Sequence, residues 1–325
     1  MVTVAICAAT GNQGKEIIKR FREINEMQIY GAGKNFYIKA LTRNASSDAA
    51  LKLSQNTPNL TVIETVYSSK ESLENALRGV DALFLNYALV KNEAEIEKLI
   101  IDVAIKTGVR HIIYSTVAAC ENDYGVPHWE SSRQTNEYLR ECLAAKQSEG
   151  CPDDAFRFHL VQLAHFNENI LPGSYFPPKN GSITYPWRSD AQFATSSLRD
   201  AARVACKLFT DPTLLANGAA ICAITEFVTV NKIASAVSDA RGETIRPAKG
   251  PWVFTTFGHC FGWEASSILH MSKHIDKYEF MEGVSTVEMG KFLREEIKTE
   301  PLETMTQFAK RHFAAAGNSH LKILP

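Results

Sequence analysis

The chain has 325 residues, enough for one large α/β unit or two small domains, and 45% of them are hydrophobic, as in an ordinary globule. Lys plus Arg total 35 against 36 Asp plus Glu, a formal net charge of −1, so no basic excess argues for direct contact with nucleic acid. The 7 cysteines are scattered, none in a C-x-x-C pair, which fits free thiols in a reducing compartment and excludes both a disulfide framework and a zinc or other metal site as expectations. No uninterrupted apolar run approaches ~20 residues, so no membrane span is expected. No charged leader precedes the first apolar run, and the expected location is cytoplasmic, with the nucleus left open.

Residues 3–6 (Thr3-Val4-Ala5-Ile6) have the composition of a buried strand. Gly11 and Gly14 follow, and then Ile17, Ile18 and Phe21 recur at helical spacing in a helix that opens with Lys15. Strand, glycine turn and helix in that order make a phosphate site. Glycine lets the backbone approach a pyrophosphate, and the free amides at the helix start carry partial positive charge. Thr10, Gly11, Asn12, Gln13 and Gly14 are therefore candidate cofactor contacts. The usual dinucleotide fingerprint has three glycines, and Ala8 stands where the first would be. Alanine does not take a positive φ cheaply, so the turn must differ or tolerate the Cβ. The plain alternative is an ordinary strand-to-helix turn.

Residues 29–35 read as a glycine-bearing surface loop and 36–42 as strand two, which delivers Arg43 to its end. An acid at that point of a dinucleotide fold holds the ribose 2′-hydroxyl, whereas an arginine accommodates a 2′-phosphate. A solvated arginine at a strand end is the alternative. Residues 60–63 read as strand three, 69–77 as a helix, and 79–85 as strand four with Asn86 at its end, a further cofactor candidate. Residues 93–106 form an amphipathic helix with Ile96, Leu99, Ile100, Val103 and Ala104 on one face, and 108–116 give strand five. Ser115 ends that strand where α/β folds open their cleft, either to bind a ligand oxygen or simply to finish the strand. A loop over 122–128, a helix over 131–146 and strand six over 156–163 follow. This alternation predicts a Rossmann-type α/β fold with a doubly wound parallel sheet. Shorter elements come next, at 181–185, 198–209, 219–224 and 230–240. The expected organisation is a dinucleotide-binding domain over 1–155, its sheet completed by later strands, and a smaller, mostly helical substrate or partner domain over 156–325.

Ala8-Ala9-Thr10-Gly11-Asn12-Gln13-Gly14 resembles the G-A-T-G-x-Q-G loop of the NmrA-like family, atypical members of the short-chain dehydrogenase superfamily. Thr42-Arg43-Asn44 resembles the family's T-R-N segment, and residues 72–82 its S-L-x-x-A-L-x-G-V-D-A block. Residues 108–116, Leu198-Arg199-Asp200-Ala201-Ala202, Asp211-Pro212 and residues 226–234 extend the likeness in patches over nearly the whole chain. The resemblance implies a Rossmann domain that binds NADP(H), and a protein that is either an NADPH-dependent reductase or a silent redox sensor that binds a regulatory protein. It also implies that Phe166 and Asn169 lie near the nicotinamide, because Ala164–Leu171 is similar to the family's P-x-x-F-M-E-N-L, with Ala164 in place of the proline. One departure is the aspartate expected after strand three, near the adenine, whose place falls at about Val66.

The short-chain dehydrogenase pair Tyr-x-x-x-Lys, in which lysine lowers the tyrosine pKa for proton transfer, is missing between strands five and six. Tyr138-Leu139-Arg140-Glu141-Cys142 has no lysine. Reductase relatives place a lysine at the start of the helix after strand five, and that position falls at Ser132, with Arg133 one residue late. Guanidinium hardly deprotonates and does not do acid work. The remaining proton donors are His128, whose ordinary pKa suits the task, and Tyr124 and Tyr87; Ser115 completes the catalytic candidates. A structural role in packing or capping is the alternative for each. Trp252, Phe254, Phe257, Phe261 and Trp263 line either a substrate pocket or a core. The expected activity leans to NADPH-dependent reduction of a small carbonyl or conjugated substrate. The alternative is a non-catalytic sensor with a protein partner; the oligomeric state stays open.

Overall fold

Five residues, Val2–Ile6, start the sheet as β1, and the turn after them leads into α1, Asn12–Met27. The computed structural model describes residues 1–325 apart from 28–34, 56, 88–90, 119, 122–125, 153–154, 250–301 and 315–325. In chain order follow β2 Phe36–Thr42, α2 Asp48–Gln55, β3 Leu60–Glu64, α3 Lys70–Leu77, β4 Ala82–Leu85, α4 Glu93–Lys106, β5 His111–Val117, α5 Pro127–Ser148 and β6 Arg157–Leu163. Then come β7 His165–Phe166, a 3₁₀ turn Asn167–Ile170, β8 Ser182–Tyr185, β9 Phe193–Ser196, α6 Leu198–Thr210, β10 Ala220–Cys222, β11 Glu226–Val228, α7 Val230–Arg241, β12 Arg246–Lys249 and α8 Met305–Phe313.

The chain divides into two compact units, residues 1–162 with 201–222, and residues 163–200 with 223–325. The first unit carries a seven-stranded sheet in the order β10-β6-β5-β4-β1-β2-β3, with parallel register between β1 and both β2 and β4. The order reverses at β1, so the crevice at the carboxyl ends of β1 and β4 is a topological switch point. Successive strand residues face opposite ways. Ala5, Leu83, Leu85, Ile112, Tyr114, Phe158 and Leu160 join Leu73, Leu77, Ile96, Ile100, Val103 and Leu139 of α3, α4 and α5 in one buried cluster. On the opposite face Phe21 of α1 packs against Phe36 and Phe209, with ring centroids 4.8 Å and 5.6 Å apart, and His111 packs on Phe209. Each such ring contributes about 1.5–3 kcal/mol by leaving water. Helices on both faces of a parallel sheet make this the doubly wound α/β architecture.

Several boundaries differ from the sequence reading, and three of them have a plain local reason. The first helix starts at Asn12 rather than Lys15, because Lys15 N–H already bonds the Gly11 carbonyl at 3.0 Å. Helix α5 starts at Pro127, a residue whose fixed φ suits the first helical turn, so His128 is helical and not part of a loop. Strand β4 starts at Ala82 because Gly79 takes φ +69° and turns the chain just before it. The loop at 29–35 falls mostly on residues outside those described, and Tyr124 and the aromatic residues between 252 and 263 lie wholly outside them.

The second unit is built from β11-β9-β7 and the parallel pair β12-β8, with α7 and α8. Helix α7 is capped by the Thr229 hydroxyl, which accepts from Lys232 N–H, and closes on left-handed Gly242. Helix α8 opens with a capping box between Thr304 and Gln307.

Candidate functional site

The turn after β1 is fixed by backbone bonds to two neighbouring strands. Cys7 N–H donates to Phe84 O at 3.0 Å and Ala9 N–H to Leu41 O at 3.0 Å. Ala8 takes φ +45°, so this alanine does adopt the left-handed conformation usually reserved for glycine. Its carbonyl accepts Gly11 N–H at 2.8 Å, which closes the turn. Gly14 has a different task. A Cβ there would lie 2.6 Å from Ala9 Cα, 2.7 Å from Ala8 O and 2.8 Å from Ala9 O, so only glycine lets α1 sit this close to the loop. At Gly11 a Cβ would meet Ala8 O at 3.1 Å. No acid stands in the first turn of α1, and Gly11 and Asn12 are exposed. No carboxylate of the first turn of α1 therefore neutralises the partial positive charge at this helix start, where Asn12 is exposed.

Several candidates from the sequence come together around this loop. The Ser115 hydroxyl donates to Gln13 Oε1 at 2.6 Å, tying the end of β5 to the first turn of α1. The Thr10 and Thr42 hydroxyls are 3.4 Å apart, joining the loop to the end of β2. Burial pushes the Cys7 thiol up to about 12, against a smaller lowering by the backbone amide of Asn86 beyond β4, so it stays neutral. Arg43 is exposed and forms no hydrogen bond or ion pair among the described residues. Its charge is felt by the phenols of Tyr67 and Tyr87. Val66 is 57% exposed in the turn after β3, an apolar side chain where the resemblance places an acid.

The lysine position is equally specific. Ser132 is 4% exposed, and its hydroxyl exerts a small lowering influence on the buried Tyr114 phenol, whose pKa burial raises well above the ordinary value. Tyr114 in turn donates to Glu97 Oε2 at 2.7 Å, and Thr135 donates to the same oxygen at 2.8 Å. Glu93, one turn earlier on α4, has a buried Oε2 with no hydrogen-bond partner among the described residues. Burial raises both carboxyl groups well above the usual range, and the Glu97 charge adds to the shift of Glu93. Arg133 does not replace the missing lysine: its guanidinium is held by Glu130 at 2.7 Å and Glu137 at 2.6 Å. His128 sits in the first turn of α5.

Phe166 and Asn169 belong to the second unit, in β7 and the 3₁₀ turn after it. Asn169 Nδ2 lies 3.4 Å from His165 Nδ1, and His165 Nε2 lies 3.1 Å from the Tyr185 hydroxyl. An amide donor on Nδ1 leaves the proton on Nε2, directed at Tyr185. Phe176, Tyr185, Trp187 and Phe193 surround this imidazole with centroids 5.4–6.0 Å away, and desolvation pushes its pKa down to about 3. Sequence reasoning missed Tyr67, Glu93, Glu97 and His165. None of them stands in a spaced motif, and their partners come from other elements.

Among the described residues no group of three or more metal-ligating side chains occurs, and no helix is long and apolar enough to cross a membrane. Comparison with known proteins gives a match of residues 2–304 to the model of the NmrA-like family. An NmrA-like family domain-containing oxidoreductase of Penicillium ochrochloron is 29% identical over 207 residues, 58% of this chain and 53% of that protein. The chain thus spans about half the length of that relative. An NADPH-dependent quinone oxidoreductase of Escherichia coli, solved with NADPH, superposes with TM-score 0.68 at 19% identity, covering 96% of this chain and 99% of that one. The negative transcriptional regulator NmrA, solved with NADP, superposes with TM-score 0.69 at 18% identity, covering 96% and 95%. At such identity these two likenesses are of fold.

Proposed function

Because the chain belongs to the NmrA-like family, we propose that it binds NADP(H) and reduces a small carbonyl or conjugated substrate with it. The observation that carries the reading is the glycine loop at the start of α1, where Gly14 leaves no room for a Cβ and the first turn holds no acid. Such a cradle fits a pyrophosphate. Arg43, exposed and unpaired among the described residues, fits a 2′-phosphate. The quinone reductase solved with NADPH and the regulator solved with NADP support the same cofactor class.

Bound NADPH would supply the hydride. The chain's own part is to hold the phosphates at residues 10–14, to fix Ser115 against Gln13 at the cleft, and to deliver a proton to the reduced oxygen. His128, in the first turn of α5, or a water it orders is the proposed proton source. Phe166 and Asn169 are the proposed nicotinamide contacts, and the second unit is the proposed substrate domain.

One observation favours a second reading. A buried serine, Ser132, takes the lysine position, so no amine stands ready there, as suits a redox sensor that reports NADP(H) to a protein partner. NADPH oxidation against a panel of ketones and quinones separates the two. Turnover supports the reductase; tight NADPH binding with no turnover on any member of the panel supports the sensor.

A further inference from the structure

Tyr67 occupies a position that neither the glycine fingerprint nor the proposed chemistry accounts for. It follows β3 by three residues in sequence, yet its hydroxyl accepts Ala8 N–H at 2.8 Å and donates to Leu41 O at 3.0 Å. Leu41 O is the same carbonyl that accepts Ala9 N–H at 3.0 Å. One phenol therefore ties the loop after β1 to β2 from the turn after β3. The side chain is 4% exposed and packs edge-on against Tyr87 at 5.3 Å, so its position is set by burial. The residue it holds, Ala8, is one of two non-glycine residues with positive φ among the described residues.

We propose that Tyr67 is a positioning residue of the phosphate loop: its hydroxyl holds Ala8 in the left-handed conformation that a glycine would adopt unaided. An L-residue in the left-handed region is disfavoured relative to glycine, so Ala8 needs an external hold. The conformation of Ala8 also aims its carbonyl at Gly11 N–H, so releasing Ala8 opens the turn that leads into the first turn of α1. A hydroxyl with one donor and one acceptor role is suited to the task, because it satisfies a buried N–H and the second lone pair of a buried carbonyl together. The inference rests on the cofactor reading above only in calling the turn a phosphate loop; the hold itself is a property of the protein alone.

The test is a double-mutant cycle between Tyr67→Phe and Ala8→Gly in the full chain, read two ways. Calorimetric titration with NADPH should show Tyr67→Phe weakening binding about tenfold when residue 8 is alanine and less than about twofold when it is glycine. Hydrogen exchange at the Gly11 amide, measured without cofactor, should speed up on Tyr67→Phe only in the alanine background. A loss of the same factor in both backgrounds, or no change in either readout with alanine present, overturns the proposal. Failure of the wild type to bind NADPH would instead sink the cofactor reading, while the Gly11 exchange still decides the hold.

Discussion

Gly14→Ala adds one methyl group at the closest approach in the loop. Its Cβ would stand 2.6 Å, 2.7 Å and 2.8 Å from three backbone atoms of Ala8 and Ala9. All three contacts are shorter than carbon or oxygen allows, and backbone cannot rotate aside as a side-chain tip can. Either α1 or the turn must move by several tenths of an ångström. Overpacking of this kind costs about 1–3 kcal/mol, which for a chain of 325 residues lowers Tm by about 1.5–4.5 °C. Displacing the turn also misaims the first-turn amides. Losing one charge-assisted bond of about 1.5–3 kcal/mol weakens NADPH binding on the order of tenfold to a hundredfold. Gly79→Ala is the control, since Gly79 has φ +69° and nothing within 4 Å of its Cβ position. It should cost about 1–2 kcal/mol of stability through backbone strain and leave affinity alone. Calorimetry and thermal unfolding on both variants read the two effects apart. NADPH binding by Gly14→Ala at wild-type affinity would refute the close-approach argument.

The buried pair His111–His159, with Nε2 and Nδ1 2.9 Å apart, has both imidazoles pushed down by burial, to about 3 and about 4. The unfolded chain then binds more protons than the folded one below the ordinary histidine value near 6.5, so stability falls as pH drops from about 6.5 toward 4, by up to about 1.4 kcal/mol per pH unit for each ring. Glu93 and Glu97 act oppositely, since their raised values make protonation favour the fold. The check is therefore the difference between wild type and His111→Gln/His159→Gln in urea unfolding at pH 7.5 and pH 5, and an equal loss in both would contradict it. Ser132→Lys should bring an ammonium to the Tyr114–Glu97 network and raise NADPH-dependent reduction, acid–base help being worth roughly 10²–10⁴-fold. A wild-type rate already at about 1–10³ per second would show that another residue does this work.

Much of the first unit was legible because its signals are local. Gly11 and Gly14 come within a few residues of the apolar run Val4-Ala5-Ile6, and residues 36–42 read as a strand that ends at Arg43. The start of α5 was misread because Pro127 looks like a loop residue until its place in the first helical turn is known. In the second unit β7 has two residues and β11 three, too short for a period-2 pattern to form. The hold on Ala8 was invisible for another reason. Tyr67 is 59 residues from Ala8 in sequence, and only the parallel order β1-β2-β3 brings the turn after β3 to the loop after β1. The same holds for Tyr114 and Glu97, which meet across β5 and α4.

The central claim is that residues 10–14 and Arg43 bind NADP(H), and calorimetry with NADPH and NADH on wild type and Arg43→Ala tests it most directly. The 2′-phosphate carries nearly two negative charges near neutral pH, and a guanidinium meets it with a planar fork of donors. Arg43 has no carboxylate partner to give up among the described residues, so its contact is not offset by a broken ion pair. The account predicts NADPH binding tighter than NADH by about tenfold to a hundredfold in the wild type, and a preference that collapses in Arg43→Ala while NADH affinity stays unchanged. Equal affinities in the wild type, or a preference that survives the substitution, would contradict it.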